Sequence, residues 1–347
     1  MENIKKINPL IIYQEEKTTE LIKKINKSKI KIIFVLDRNK RLTGSITSGD
    51  LRRFLTKKIN YEAKVSQIMN RKVKFFYEKD KHKIQTTTFT KSIFCIPIVN
   101  NQKKILYFKL KKNLEVSNKK NIIFLLAGGK GVRLYPLTKN NPKPMLKIKN
   151  KTIIEKIINN FKEQGFCNFV ISVNYLKNKI KNFLKNGKNF DVKIKYIEEN
   201  SYLGTAGPLS LLNCKDTELP VIVTNSDLVS SIDYENLLNY HIKQKADITI
   251  CSKNKIFVMP YGELLLKKYN VKKIIEKPTT SSLVNAGIYV INANLFTYLK
   301  KNKKIMMNDF INHLITSKKK VITYPIFENW IDIGNKLDLV KAKKNKF

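Results

Sequence analysis

Apolar and polar positions keep two different rhythms along this chain. Downstream of residue 121, short apolar runs alternate with stretches whose apolar residues recur at helical spacing. The runs Ile122–Ala127, Phe169–Val173, Val192–Ile197, Val221–Thr224, Ile248–Cys251, Ala286–Ile291 and Val321–Pro325 have the length of strands. Their near-continuous apolar character predicts strands buried on both faces. Between them, Thr152–Gln164, Lys177–Leu184, Tyr234–Lys243, Asn308–Thr316 and Asn335–Lys344 carry the pattern of amphipathic helices. Strands alternating with helices predict an α/β unit, a mixed and mostly parallel sheet covered on both faces. In such sheets ligands sit beyond the carboxyl ends of the strands.

Upstream the texture is different and weakly repeated. Thr18–Lys27 places Leu21, Ile22 and Ile25 at helical spacing; the apolar run Ile30–Leu36 follows, then a turn at Asp37-Arg38-Asn39 and a segment from Leu42 to Arg53. Val65–Asn70, Phe94–Val99, a turn at Asn100-Asn101 and Lys104–Tyr107 echo that order. Each copy, of about 60 residues, reads as β–α–β–β–α, so a small duplicated α/β module is expected. The polar, lysine-rich run Lys111–Lys120 has no periodicity and reads as a linker. It divides the chain into residues 1–118 and 119–347.

Composition supports that division and narrows the chemistry. A chain of 347 residues with 42% apolar content can build two cores. No run approaches the ~18 apolar residues of a membrane span. The start, Met1-Glu2-Asn3-Ile4-Lys5, lacks the apolar stretch of a secretory signal, which predicts a cytoplasmic protein. Cys95, Cys167, Cys214 and Cys251 lie far apart without a CxxC pair, and His82, His241 and His313 share no ligand spacing with them. Free thiols are expected, and a metal would have to be held by carboxylates and phosphates.

The net charge of +41 would ordinarily point to nucleic acid or anionic lipid. Only six of the 68 basic residues are arginine, however, and lysine is scattered through every predicted element among Ile and Asn. Specific phosphate and base readers favour the bidentate guanidinium fork. The expected surface is therefore solvated lysine with no nucleic-acid partner, a field that still steers small anions toward the protein.

The candidate chemistry is concentrated after the first downstream strand. Leu126-Ala127-Gly128-Gly129-Lys130-Gly131-Val132-Arg133-Leu134-Tyr135-Pro136-Leu137-Thr138 runs from an apolar strand into a glycine-rich turn, with Pro142-Lys143-Pro144-Met145 close behind. Glycines let backbone N–H groups converge on phosphate oxygens. The loop lacks the Gly-Lys-Ser/Thr ending of a Walker motif and the third glycine of a dinucleotide fingerprint. It resembles instead the signature of the sugar-1-phosphate nucleotidyltransferases, and the likeness extends over residues 121–347. That resemblance implies a Rossmann-like fold, with Ala127, Gly128, Gly129 and Gly131 at the nucleotide and Arg133 and Lys143 as catalytic cations on its phosphates. Val132 departs from the family's usual Thr. Further matches follow in the family's order. Glu199-Asn200-Ser201-Tyr202-Leu203-Gly204-Thr205-Ala206-Gly207-Pro208 resembles the base-recognition segment, implicating Glu199, Gly204 and Thr205, in the wording of guanylyltransferase members. Asn225-Ser226-Asp227, with Ser where Gly is usual, and Trp330-Ile331-Asp332-Ile333-Gly334 resemble the two segments whose carboxylates, Asp227 and Asp332, hold Mg²⁺. Pro260-Tyr261-Gly262, Glu276-Lys277-Pro278 and Asn285-Ala286-Gly287 resemble the sugar-phosphate side, with Lys277 on the phosphate and Gly262, Glu276 and Asn285 near sugar hydroxyls.

The duplicated front segment resembles a tandem pair of CBS domains, through Gly44-x-Ile46-Thr47-x-x-Asp50-Leu51. In that family Thr47 and Asp50 would hold a regulatory nucleotide, and the pair would also mediate homo-oligomers. The plain alternative is that Asp50 caps the helix that follows. The second copy has no Thr-x-x-Asp, so one nucleotide site is expected at most. Taken together, the resemblance implies Mg²⁺-dependent transfer of a nucleotide from an NTP, GTP being favoured, to a sugar-1-phosphate. Fused proteins of this kind resemble glucosamine-1-phosphate guanylyltransferases of legionaminic acid synthesis; heptose 1-phosphate as acceptor and CTP or UTP as donor stay open. A regulatory pseudoenzyme is the rival of another class, and the joint presence of Arg133, Lys143, Asp227 and Asp332 argues against it.

Overall fold

A computed structural model describes residues 2–4, 7–28, 30–57, 60–85, 88–89, 93–111, 118–213 and 217–344. The chain forms two compact units, Met1–Glu115 and Val116–Phe347. Most of the linker read at Lys111–Lys120, and Cys214, lie outside the described residues.

The larger unit is built on seven strands: β1 (Lys119–Ala127), β2 (Phe166–Val173), β3 (Lys193–Glu198), β4 (Val221–Asn225), β5 (Ile248–Val258), β6 (Thr279–Ile291) and β7 (Val321–Ile326). Their order is β3-β2-β1-β4-β6-β5-β7, and only β6 runs against the rest. All seven coincide with an apolar run seen in the sequence. Strand alternation explains the double covering of β1. Ile123, Leu125 and Ala127 enter one core and Ile122 and Phe124 the other, because successive side chains point to opposite faces. On the first face lies the helix Ile153–Lys162, started by a capping box in which Thr152 and Glu155 satisfy each other's backbone N–H. It buries Ile153, Ile154, Ile157, Ile158 and Phe161. The helix Met307–Thr316 buries Met307, Phe310, Ile311 and Leu314 in the second core. The helices Lys177–Leu184, Tyr234–Lys243 and Lys336–Lys344 also fall where the spacing predicts them.

Two features position the site. β1 pairs with β2 on one side and β4 on the other, which creates a switch point at the carboxyl ends of β1 and β4. A short ladder then pairs Leu228–Ser230 with Trp330–Asp332, antiparallel, with Leu228 opposite Asp332. One feature was not legible in the sequence. β5 and β6 run on past the sheet as a two-stranded ribbon from Asn254–Val258 paired with Thr279–Leu283, and Glu263–Lys267 pairs with Asn270–Ile275 in a further hairpin.

The smaller unit repeats one arrangement twice. Ile11–Tyr13 lies parallel to Ile32–Leu36, which is antiparallel to Leu42–Thr47; Phe76–Tyr77, Cys95–Val99 and Ile105–Leu110 repeat those relations. Each copy also receives a segment from outside it. Ile4 pairs with Phe108, and Asn70 bridges Ser45, at the matching position of the other copy's last strand. Val65–Asn70, read as part of the second copy, thus docks on the first. Phe34 and Phe108 stack at 4.8 Å within one core that draws on both copies. The helices Thr18–Lys27 and Ser48–Lys57 belong to the first copy; among the described residues of the second, the short helical turn Glu78–Lys83 stands at the place of the first helix.

Candidate active site

A cavity of ≈ 590 Å³ opens at the carboxyl ends of β1 to β4, a size ordinary for small-ligand sites. Ala127, Gly128, Gly129, Gly131, Arg133, Lys143, Glu199, Gly204, Thr205 and Asp227 all line it. The structure therefore gathers ten of the sequence-predicted residues from four separate segments.

The loop after β1 is shaped for close approach. Gly131 has φ +64, a left-handed conformation, and an added Cβ would stand 3.1 Å from the Lys143 Cβ and 3.2 Å from Thr138 Cγ2. The Thr138 hydroxyl donates to the Gly131 carbonyl at 2.9 Å, which pins the turn. Gly128 leaves room for Glu199, whose Oε1 lies 2.5 Å from where a Cβ would be. Glu199 itself is buried, follows β3, and accepts from the Leu203 N–H at 3.0 Å. Burial raises its carboxyl above the ordinary glutamate value, and the Leu203 N–H opposes that shift. Thr205 is partly committed elsewhere, because its hydroxyl accepts the Met307 N–H at 2.7 Å and caps the start of that helix.

The charged centre joins residues far apart in sequence. Lys143 and Asp227 form an ion pair, with only 11% and 20% of their side chains exposed. Asp332 is brought alongside by the Leu228–Asp332 pairing and by the Ile333 N–H, which donates to the Asp227 carbonyl at 3.1 Å. Burial first, then the Asp227 charge, hold the Asp332 carboxyl above its usual range, against the opposing pull of Lys143 and Arg133. Arg133 lies over Gly334, its Nη1 3.2 Å from an added Cβ there. Asp227 Oδ1 and Asp332 Oδ1 are both buried without a hydrogen-bond partner. Two orphaned carboxylate oxygens at one place fit a hard divalent cation that takes its remaining ligands from phosphate and water. Among the described residues no group of three or more His, Cys, Asp or Glu could hold a metal without such help.

Gly262, Glu276, Lys277 and Asn285 do not line this cavity. Gly262, Glu276 and Lys277 are exposed on or beside the hairpin. The Asn285 amide donates to the Tyr289 hydroxyl at 2.8 Å and accepts the Gly287 N–H at 2.9 Å. Residues the sequence reading missed are Ser172 and Asn174, which line the cavity at the end of β2. The only signal for them was their position at a strand's carboxyl end. In the smaller unit, Thr47 and Asp50 face each other rather than open space. Asp50 Oδ2 accepts from the Thr47 N–H at 2.9 Å and its hydroxyl at 2.6 Å, while Oδ1 takes Arg53 at 2.5 Å. The capping alternative thus describes the geometry seen, with Thr47 rather than Asp50 preceding the helix.

No described helix is long and apolar enough to cross a membrane. The described cysteines Cys95, Cys167 and Cys251 are free thiols. Comparison with known proteins agrees with the geometry. Residues 3–57 match the CBS domain model, and that match ends before the second copy. The chain is 30% identical over 225 residues to mannose-1-phosphate guanylyltransferase 1 of Arabidopsis thaliana, covering 62% of each. It is 32% identical over 229 residues to the bifunctional protein GlmU of Methanocaldococcus jannaschii, covering 63% of this chain and 53% of that one. The chain thus spans about three fifths of the length of the curated relatives it matches, 60% and 62% among them. In structure it resembles HddC from Yersinia pseudotuberculosis, with a TM-score of 0.52 and 25% identity over 65% of this chain and 98% of that one. Residues 120–346 match the nucleotidyl transferase family model, and the chain belongs to that family.

Proposed function

We propose that the chain is a sugar-1-phosphate guanylyltransferase, joining GMP from GTP to a sugar-1-phosphate and releasing pyrophosphate. One observation carries this reading: the orphaned oxygens of Asp227 and Asp332 lie beside Lys143 and Arg133 at the mouth of a glycine loop. In the reaction, a phosphate oxygen of the sugar-1-phosphate forms a bond to the α-phosphorus of GTP while the bond to the departing pyrophosphate oxygen breaks. The attacker is already anionic, so no nucleophilic side chain is needed. The protein must align two mutually repelling anions and offset their charge. The turn after β1 presents backbone N–H groups to the triphosphate. Arg133 offers its fork to phosphate oxygens, and Lys143, held by Asp227, offers a fixed point charge. Asp227 and Asp332 would hold Mg²⁺, which when bound neutralises phosphate charge and polarises the phosphoryl oxygens.

Glu199 supports guanine as the base. Its buried carboxylate can accept from both adjacent N–H donors of guanine, where cytosine and uracil each present one donor on that edge. Relatives named mannose-1-phosphate guanylyltransferase support the same donor. Glucosamine 1-phosphate is the favoured acceptor, by resemblance of the fused architecture, ahead of a heptose 1-phosphate. Incubating the protein and Mg²⁺ with each NTP against a panel of sugar-1-phosphates, and measuring pyrophosphate, tests the reading. GTP should be preferred, and Glu199→Gln should lower kcat/KM for GTP by about 10- to 100-fold, the effect of losing a charged hydrogen bond. Equal use of CTP or UTP would overturn the assignment of the base, and no pyrophosphate with any pair would overturn the reaction.

A further inference from the structure

Arg38 and Arg41, two of only six arginines among 68 basic residues, share one hairpin turn of the smaller unit. The duplicated copy sets its own turn beside it. The Lys40 N–H donates to the Asp37 carbonyl at 3.0 Å, and the Lys103 N–H to the Asn100 carbonyl at 2.9 Å. The Asp37 and Asn100 side chains each accept the N–H four residues on, from Arg41 at 2.8 Å and Lys104 at 2.9 Å. Arg41 bridges Lys104 in antiparallel register, and the Leu42 N–H donates to the Lys103 carbonyl at 2.9 Å. Two turns of the same design thus lie side by side and line a cleft of ≈ 810 Å³.

Residues 38–41 and 101–104 form that lining, and five of them are cations: Arg38, Lys40, Arg41, Lys103 and Lys104. No carboxylate joins them. Among the described residues none of the five side chains has a hydrogen bond or an ion pair; Lys103 makes a ring contact, over Phe75 at 5.8 Å. Elsewhere in this unit Lys17, Lys23, Lys64 and Lys81 each pair with a carboxylate. Like charges directly opposite across a strand pair are destabilising, and Arg41 faces Lys104 in that way. Guanidinium forks among unpaired lysines, on backbone fixed by its own turns, suit a multiply charged phosphate. We infer that this cleft binds an oligophosphate, a chain of three or more linked phosphates, free or at the end of a nucleotide. Three linked phosphates carry roughly four negative charges, with the terminal one near −2, enough to offset most of the five. The cleft has the volume of a small-ligand site. Nucleic acid would instead call for cations spread along a stripe. The site is also distinct from Thr47 and Asp50. Those lie past the far end of the strand Leu42–Thr47, about 20 Å from Arg41 at strand rise.

The test is calorimetry on the full-length protein in chelator, with inorganic tripolyphosphate as the probe. Arg133→Ala first silences the glycine loop, and that variant should still bind one equivalent. Adding Arg38→Ala/Arg41→Ala should abolish the binding. Arg38→Lys/Arg41→Lys keeps the charge and loses the forks, so affinity should fall at least about 10-fold. Lys17→Gln/Lys23→Gln removes two charges from the same unit and should leave affinity unchanged. All four altered positions are exposed, so the circular dichroism spectrum should not change. GTP and ATP in place of tripolyphosphate identify the source: equal affinity supports the phosphate chain alone, and tighter binding of either supports a nucleotide end. No binding to the Arg133→Ala protein would overturn the inference. Unchanged affinity in either arginine variant, or an equal loss in the Lys17/Lys23 variant, would overturn it as well. So would single-stranded RNA that binds more tightly than tripolyphosphate and is released by Arg38→Ala/Arg41→Ala, which assigns the turns to nucleic acid.

Discussion

Replacing Lys143 with Met separates the structural and catalytic parts of the charged centre. The side chain keeps its length and apolar stem, so the change removes the charge with little change in packing. Asp227 is left with Oδ1 already unpaired and Oδ2 newly so. Stranding one partner of a buried ion pair costs about 3–5 kcal/mol. Here 20% of the Asp227 side chain is exposed, and water reaching it reduces the expected loss to about 2–3 kcal/mol. Adding Asp227→Asn removes the stranded charge, so the double variant should regain all but about 1 kcal/mol. Turnover behaves oppositely. The single variant should lose about 10²- to 10³-fold in kcat, as for removal of one preorganised electrostatic contact, and the double variant should stay inactive. Trp330 is the only tryptophan in the chain, and its indole N–H donates to the Ala286 carbonyl at 2.9 Å beside this centre. Its fluorescence during urea unfolding therefore reports on this unit. A Lys143→Met protein as stable as the parent would refute the reasoning, and so would a double variant no more stable than the single one.

Three further outcomes follow from the same geometry. Because burial raises the Asp332 carboxyl, its charge destabilises the fold at neutral pH, and that penalty is relieved as pH falls through the folded value. Asp332→Asn should thus raise the urea midpoint at pH 7 in chelator, by an amount that shrinks toward pH 4, while abolishing Mg²⁺-dependent turnover; an unchanged midpoint at pH 7 contradicts the pKa direction. Arg133→Lys keeps the charge but loses the fork, and kcat should fall at least about 10-fold; a tolerated lysine in steady-state kinetics would show that a point charge suffices. Asp50→Ala opens the box with Thr47 and frees Arg53, and should cost about 1 kcal/mol of stability in the smaller unit. Calorimetry with adenine and guanine nucleotides on the parent protein then decides whether Asp50 also holds a ligand, since tight binding that Asp50→Ala abolishes would mean Arg53 yields its place.

Much of this protein was legible from residues alone. The seven strands of the main sheet and its five helices follow from apolar periodicity, because burial on two faces or on one stripe leaves a short-range record. The glycine loop and its cations could be read too, since left-handed turns and phosphate cradles restrict residue type locally. The tertiary structure decided what depends on pairing between distant segments. Asp227 and Asp332 are over a hundred residues apart, and only the register that sets Leu228 against Asp332 makes them neighbours. The same pairing orphans their oxygens and buries the Lys143 charge against one of them. At Asp50 the residue pattern suggested a ligand, and the fold adds that its carboxylate is bonded to Thr47 at its own helix start. The ribbon and its hairpin were not legible because segments such as Glu263-Leu264-Leu265-Leu266-Lys267 keep no clean alternation, and a short apolar run reads the same whether it meets a core or open solvent. Sequence records which face is apolar, and only the assembled fold shows what covers it.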